Sequence, residues 1–221
     1  HRADVAAGEA DDDEASGPGQ RTQTRLEYIA TDAFDHNVGA VSVASRLPVS
    51  MGGVRLRALR EDDDLAAFLG YRSDPQVARY QGWWPMDEVQ ARAFLREQGA
   101  NADTDSAGHW LQLAIADAAT DALLGDLGVW LSHDRTEAEL GITVAPASQG
   151  RGIGRNAIRA ACALLFADSA VTRIHADADA RNAPCRRMLV AAGFRETGTA
   201  DVFVKEEACI EHRYVLERGD Y

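Results

Sequence analysis

A glycine-rich stretch between a predicted strand and a predicted helix constrains this chain more than any other segment. It has the sequence Gln149-Gly150-Arg151-Gly152-Ile153-Gly154. The alternating run from Leu140 to Val144 precedes it, and a helical pattern from Arg155 to Phe166 follows. Amide groups at a helix N-terminus lack intrahelical acceptors, and the helix dipole favours negative charge there. Because glycines let a backbone approach an anion closely, the stretch predicts a site for a phosphorylated ligand.

The spacing of the glycines separates this stretch from two common phosphate loops. A Walker loop requires a lysine directly after its glycines, whereas the one lysine of this chain is Lys205. A dinucleotide-binding loop has the spacing Gly-x-Gly-x-x-Gly near the start of its domain. The pattern that remains is Gln-x-x-Gly-x-Gly. A tight turn without a ligand would use the same glycines, so the loop needs support from elsewhere in the chain.

A second block downstream supplies that support. The run from Val171 to Asp177 alternates like a strand, and Asn182 then begins a helical pattern that ends at Gly193-Phe194. Asn182 is a suitable N-cap, Pro184 suits the first turn, and Gly193 suits the position just after the helix. Helix capping alone would also account for these residues. The order and separation of the two blocks indicate more than chance.

Together the two blocks resemble the GNAT superfamily of acetyl-CoA-dependent N-acyltransferases, over roughly residues 53–216. Tyr71-Arg72-Ser73-Asp74-Pro75 and Ala138-Glu139-Leu140-Gly141 resemble the branch of ribosomal-protein N-terminal (RimJ/RimL-like) acetyltransferases. The resemblance implies the α/β GNAT fold, with a mixed central sheet of about six to seven strands flanked by helices. It also implies a transferase that takes acetyl-CoA as co-substrate and uses no metal.

The resemblance further implies which residues bind acetyl-CoA. The glycine loop, from Gln149 to Gly154, would hold the diphosphate, and Asn182 would contribute at the next helix. Ile142 and Val144 would bind along the fourth predicted strand, with the N–H of Val144 donating to the thioester carbonyl.

Catalytic roles follow from the same resemblance. Glu139 is the expected base, with Glu137 as the alternative because two-residue alternation puts both on one face. Many relatives have a proton-donating tyrosine where this chain has Leu189. The expected donor is therefore Cys185, a thiol with an ordinary pKa of about 8.5. A small buried apolar side chain would also explain Cys185.

The acceptor is left open by the sequence. In relatives the region of Trp83 and Trp84 lines the acceptor pocket, although two adjacent side chains of an extended segment cannot both face inward. The acceptor is either a protein N-terminus or a small cationic amine such as an aminoglycoside. The alternatives are a non-catalytic acyl-CoA-binding or sensing module on the same fold, and a nucleotide-binding protein.

Composition sets the remaining expectations. The formal net charge of −12 argues against nucleic acid as a partner. The three cysteines and six histidines show no metal-ligand spacing. No apolar run approaches the roughly 20 residues that span a bilayer, so a soluble cytoplasmic protein without a membrane partner is expected. The resemblance allows a homodimer.

The acidic N-terminal region is predicted to differ from the rest of the chain. Residues 1–50 are expected to form a disordered acidic extension, because they are too polar to bury a core. Residues 51–221 are expected to form the acetyltransferase domain. Met51 precedes the first convincing strand and is a candidate natural start.

Overall fold

The sheet at the centre of the molecule contains eight strands. The structure, a computed structural model, describes residues 43–101, 107–168 and 170–221. In the described sheet the strand order is β1-β2-β3-β4-β5-β6-β8-β7, and β5 and β6 are parallel while the other neighbours are antiparallel. The strands are β1 (Val49–Met51), β2 (Val54–Ala58), β3 (Trp110–Asp117), β4 (Leu123–Leu131), β5 (Glu137–Val144), β6 (Arg173–Asp179), β7 (Arg195–Val204) and β8 (Glu207–Glu217).

Helices cover both faces of this sheet. They are α1 (Glu61–Arg72), α2 (Pro75–Ala78), α3 (Glu88–Asn101), α4 (Ile153–Phe166) and α5 (Ala183–Ala191). On one face, Ala157 and Ile158 of α4 are fully buried with Leu113 and Leu127 of the sheet. On the other face, α1 and α3 enclose a smaller core around Phe68. The predicted α/β GNAT-type architecture is confirmed.

The predicted number of six to seven strands was slightly too low. The additional strand is β1, which pairs Val49 with Leu56 and Met51 with Val54. A three-residue strand is too short to show an alternating pattern, so β1 could not be predicted from sequence. β1 begins two residues before the predicted domain start at Met51. Residues 1–42 of the predicted extension lie outside the described residues, and the extension and its boundary stay predictions.

Strands β5 and β6 run side by side over a short distance only. Their ladder pairs Glu137 with Arg173, Ala138 with Ile174 and Glu139 with His175, and ends there. β5 nevertheless continues to Val144 and β6 to Asp179. The two parallel strands therefore diverge toward their C-terminal ends and leave a gap in the sheet.

Candidate active site

The edge of β5 that faces the gap carries main-chain amides. Ser132 N donates to Glu137 O at 2.9 Å, and Ala145 N donates to Leu124 O at 2.9 Å. In an antiparallel ladder, alternate residues bond to the same neighbour, so the odd-numbered residues of β5 bond to β4. The N–H groups of Ile142 and Val144 consequently point to the gap.

Side chains donate hydrogen bonds to the carbonyl groups of the same edge of β5. The Ile142 carbonyl accepts a hydrogen bond from Gln81 Nε2 at 3.3 Å, and the Val144 carbonyl accepts one from Gln149 Nε2 at 2.9 Å. Gln149 therefore braces the chain where it leaves β5. The donors of the edge remain directed at the gap while its acceptors are engaged.

A close backbone approach keeps this edge in place. A Cβ atom at Gly125 of β4 would lie 2.2 Å from the Thr143 carbonyl oxygen and 2.9 Å from Val144 Cα. Because those atoms belong to the backbone, they could yield only if β5 moved.

Substituting Gly125 by alanine is therefore expected to destabilise the fold by about 1–3 kcal/mol through overpacking. Thermal unfolding of the variant measures the loss. Gly141→Ala is the matched control, since its Cβ would meet its nearest neighbour, a Trp110 ring atom, at 4.0 Å. Equal unfolding temperatures for the two variants would contradict the packing argument.

The glycine loop leads from this edge into α4. Gly150 and Gly152 have φ angles of 73° and 78°, in the left-handed region that favours glycine. Gly152 is the N-cap of α4 and offers no side chain to the first amides of the helix. A Cβ at Gly150 would meet no described atom within 4 Å. The loop is thus an open surface at a helix N-terminus, where the first amides have no intrahelical acceptor. Helix α4 begins directly after the left-handed Gly152, at Ile153, two residues before the predicted helical pattern.

Gly154, the last residue of the loop motif, has a packing role. A Cβ there would lie 2.6 Å from Met188 Sδ of α5 and 3.5 Å from Val144 Cγ2. The first turn of α4 therefore approaches both α5 and β5 closely, and the loop, the gap and α5 converge at one place.

Asn182 and Cys185 meet at the start of α5. Asn182 Oδ1 accepts a hydrogen bond from Cys185 N at 3.2 Å, which makes Asn182 the N-cap. Burial raises the pKa of the Cys185 thiol to about 11, so the thiol stays protonated near neutral pH. Leu189, at the position of the family's tyrosine, is buried in the core.

Glu139 lies in a row of side chains on the face opposite α4. Its register partners are Trp130 on β4 and His175 on β6. Glu137 is nearby and is already engaged: Arg173 Nη1 donates to its Oε1 at 3.3 Å, and His175 Nε2 lies 3.5 Å from its Oε2. That histidine nitrogen is buried and has no aligned hydrogen-bond partner among the described residues.

Sequence reasoning missed His175. Alternation within β6 puts it on one face with Asp177 and Asp179, but only the register with β5 brings it beside Glu139.

A buried polar cluster connects α1 to strands β3 and β4. Asp126, which is fully buried, accepts hydrogen bonds from Tyr71 Oη at 2.7 Å, from Arg72 Nη2 at 2.6 Å and from Gln112 Nε2 at 2.6 Å. The Trp83 ring covers the Arg72 guanidinium at 4.2 Å. Trp83 therefore packs inward, on the buried ion pair.

Trp84 instead lines an open cleft. The cleft has a volume of about 210 Å³ and lies between the α2–α3 connection, the end of β6 and the β7–β8 hairpin. Its lining combines aromatic and charged residues: Arg79, Tyr80, Trp84, Asp179, Arg181, Val204, Lys205, Glu207, Cys209 and Glu211. Three basic and three acidic side chains make it nearly balanced in formal charge. Arg181 bridges Asp179 at 2.7 Å and Glu207 at 2.6 Å.

Comparison with known proteins identifies the class that this sheet, gap and loop define. The sequence model of the acetyltransferase (GNAT) domain matches residues 54–195, which is more than half of the chain. The chain therefore belongs to the GNAT acetyltransferase family. A comparison with curated protein sequences finds no match.

Solved structures of this family have a similar fold. A GNAT-family acetyltransferase from Bacillus anthracis is 18% identical with a TM-score of 0.68, covering 77% of this chain and 98% of its own. Spermidine N-acetyltransferase from Vibrio cholerae, in complex with CoA and spermine, is 19% identical with a TM-score of 0.64, covering 76% and 98%. RimJ from Mycobacterium smegmatis, in complex with CoA-disulfide, is 22% identical with a TM-score of 0.66, covering 78% and 87%.

The described residues contain neither a membrane-spanning helix nor a cluster of metal ligands. No helix within those ranges has both the length and the apolar character needed to cross a membrane. Nor do the same ranges bring together three or more histidine, cysteine, aspartate or glutamate side chains that could bind a metal.

Proposed function

We propose that this protein transfers an acetyl group from acetyl-CoA to a primary amine, by direct attack within a ternary complex. The observation that carries the proposal is that two groups of backbone N–H donors adjoin each other. Left-handed glycines open the N-terminus of α4, and the adjoining edge of β5 points the Ile142 and Val144 amides into the gap. One site suits a diphosphate and the other suits an extended amide-containing arm that ends in a thioester.

In this proposal the loop residues Gln149, Gly150, Arg151, Gly152, Ile153 and Gly154 hold the diphosphate through backbone amides. Ile142 and Val144 bind the pantetheine arm, and Asn182 lies beside it at the start of α5. The Val144 N–H donates to the thioester carbonyl oxygen, where negative charge develops as the amine attacks.

The base has a definite task, because only the unprotonated amine attacks. Deprotonation at pH 7 costs about 1.4 kcal/mol for an α-amine and about 4.6 kcal/mol for a lysine-like amine. Glu139 takes this proton directly or through water, with His175 as its neighbour. The amine nitrogen then bonds to the carbonyl carbon, the carbon–sulfur bond breaks, and coenzyme A leaves as a thiolate that is protonated afterwards.

Cys185 receives little support as the proton donor. A thiol with a pKa of about 11 is a weaker acid than an ordinary thiol at about 8.5, so proton transfer to the departing thiolate would be uphill. The same raised pKa keeps the thiolate form scarce and favours direct attack over an acyl-cysteine intermediate.

The acceptor is a protein N-terminus or a small cationic amine, and labelled acetyl-CoA with aminoglycosides, polyamines and N-terminal peptides distinguishes them. Acetylation of members of one of these classes supports the proposal. Binding of acetyl-CoA without turnover of any amine would instead identify a sensing module. If calorimetry detects no binding of acetyl-CoA, the proposed function is wrong.

The role of the loop can be tested by replacing Gly152 with alanine. Forcing an alanine to a left-handed φ costs roughly 1–2 kcal/mol, and relief of that strain would turn the amides away from the diphosphate. We expect the Kd for acetyl-CoA, measured by calorimetry, to rise at least about tenfold.

Gly193→Ala is the matched control for that variant. Gly193 has a φ of 105°, and its Cβ would have room, with Leu216 Cδ1 at 3.7 Å. The control should lose comparable stability and keep its affinity for acetyl-CoA. Equal affinity in both variants would remove the loop from the binding site.

A further inference from the structure

The tip of the β7–β8 hairpin has an unusual composition for its geometry. Lys205 and Glu206 form a two-residue turn, closed by the pair Val204 and Glu207. Their φ angles are 49° and 66°. Two-residue turns with both φ angles positive strongly favour Asn-Gly, because side chains on other residues strain the backbone. Strain maintained by its surroundings is a reason to look for a role.

The side chain of Lys205 reaches across the cleft to the opposite wall. Its Nζ donates to the carbonyl oxygen of Ala78, the last residue of α2, and to that of Trp83, 3.5 Å away. The same Nζ lies 5.4 Å from the centroid of the Trp84 ring. One ammonium group thus contacts both ends of the segment from Arg79 to Trp84, which forms that wall.

An ammonium is well suited to this place. It supplies three donors and no acceptor, so it can serve two carbonyls at once. The Ala78 carbonyl, at the end of α2, also accepts a hydrogen bond from Gln81 N at 3.0 Å, so the ammonium of Lys205 uses its second lone pair. Lys205 is half-buried, and this burial lowers its pKa.

We propose that Lys205 is a positioning residue that sets the width of the acceptor cleft by holding residues 79–84 against the hairpin tip. The proposal rests on the proposed function and takes this cleft, which Trp84 lines, as the site that admits the amine. A second ion pair, between Arg181 and Glu207 at 2.6 Å, fastens the tip of the hairpin to the loop after β6. Gln81 and Trp83 hold the inner side of the wall to Ile142 and Arg72, and Lys205 supplies the described hydrogen bonds between the wall and the hairpin tip.

The test compares two substitutions that relieve the same turn strain. Lys205→Gly removes both the strain and the ammonium, whereas Glu206→Gly removes strain and keeps the ammonium. Both should retain or raise the unfolding temperature. We expect Lys205→Gly to raise the acceptor KM about tenfold, as loss of charge-assisted hydrogen bonds implies, and to leave kcat and the Kd for acetyl-CoA nearly unchanged. Glu206→Gly should have the wild-type acceptor KM.

Hydrogen exchange of residues 79–84 supplies a readout that does not depend on turnover. Exchange should be faster in Lys205→Gly than in wild type and Glu206→Gly, and Lys205→Arg should restore part of the protection. Equal exchange rates in all variants, or an unchanged acceptor KM in Lys205→Gly, would overturn the proposal. Absence of turnover in the wild type would contradict the proposed function instead, and the exchange measurement would still decide the role of Lys205.

Discussion

Replacing Asp126 by alanine is expected to lower the free energy of unfolding by about 3–5 kcal/mol, because it strands a buried cation. Asp126 is fully buried and Arg72 is 3% exposed. The carboxylate accepts two hydrogen bonds from Arg72, at 2.6 and 3.0 Å, and one each from Tyr71 and Gln112. Removing it leaves all of these donors without their acceptor in a place that excludes water. Chemical denaturation monitored by circular dichroism measures the loss.

A surface carboxylate with similar contacts provides the control for that variant. Glu61 accepts hydrogen bonds from Arg96 at 2.8 and 2.9 Å near the protein surface. Its replacement by alanine should lower the free energy of unfolding by less than about 1 kcal/mol, as is typical of exposed ion pairs. Comparable losses for Asp126→Ala and Glu61→Ala would mean that burial of the Arg72 pair does not matter. The Asp126 variant should also loosen Trp83, whose ring packs on Arg72.

The largest effect on turnover is expected from Glu139→Gln. Loss of a general base lowers kcat by typically about 10²–10⁴-fold, while the Kd for acetyl-CoA should not change because the substitution leaves the backbone of β5 intact. Without the base, turnover depends on amine that is already unprotonated. The rate of the variant should therefore keep rising with pH up to the pKa of the acceptor, about 8 for an α-amine and about 10.4 for a lysine-like amine.

Glu137→Gln is the matched substitution two residues away on the same strand and face. Its carboxylate is paired with Arg173 and lies beside His175, so its loss should change kcat by much less than that of Glu139. If Glu137→Gln proves the more damaging variant, the base assignment moves to Glu137 and its histidine neighbour. If both variants turn over as the wild type does, neither carboxylate is the base.

Locally encoded features of the site were predictable from sequence. Asn182 begins α5 as the predicted N-cap, because a cap residue acts on its own neighbours. Side chains alternate along an extended segment, so Trp83 and Trp84 were predicted not to face inward together. In the structure the Trp83 ring packs on Arg72, whereas Trp84 is 55% exposed.

Features that depend on strand register were not predictable. His175 comes beside Glu139 because two strands distant in sequence pair at that point. Asp126 pairs with Arg72, which is 54 residues away in the sequence, and Lys205 contacts Ala78, which is 127 residues away. An isolated charge in a sequence has no visible partner, and its most common environment is solvent. Such residues become informative only when the fold has brought their partners to them.

The short ladder between β5 and β6 makes the molecule a union of two half-sheets. Strands β1–β5 and β6–β8 are joined edge to edge by three register pairs. A thioester bound along the Ile142 and Val144 amides would bridge the two half-sheets. Its binding free energy would then stabilise their association. Release of coenzyme A would then remove these hydrogen bonds and weaken the junction between β5 and β6, where the next molecule of acetyl-CoA enters. Turnover and the opening of the sheet would therefore both depend on the Ile142 and Val144 amides.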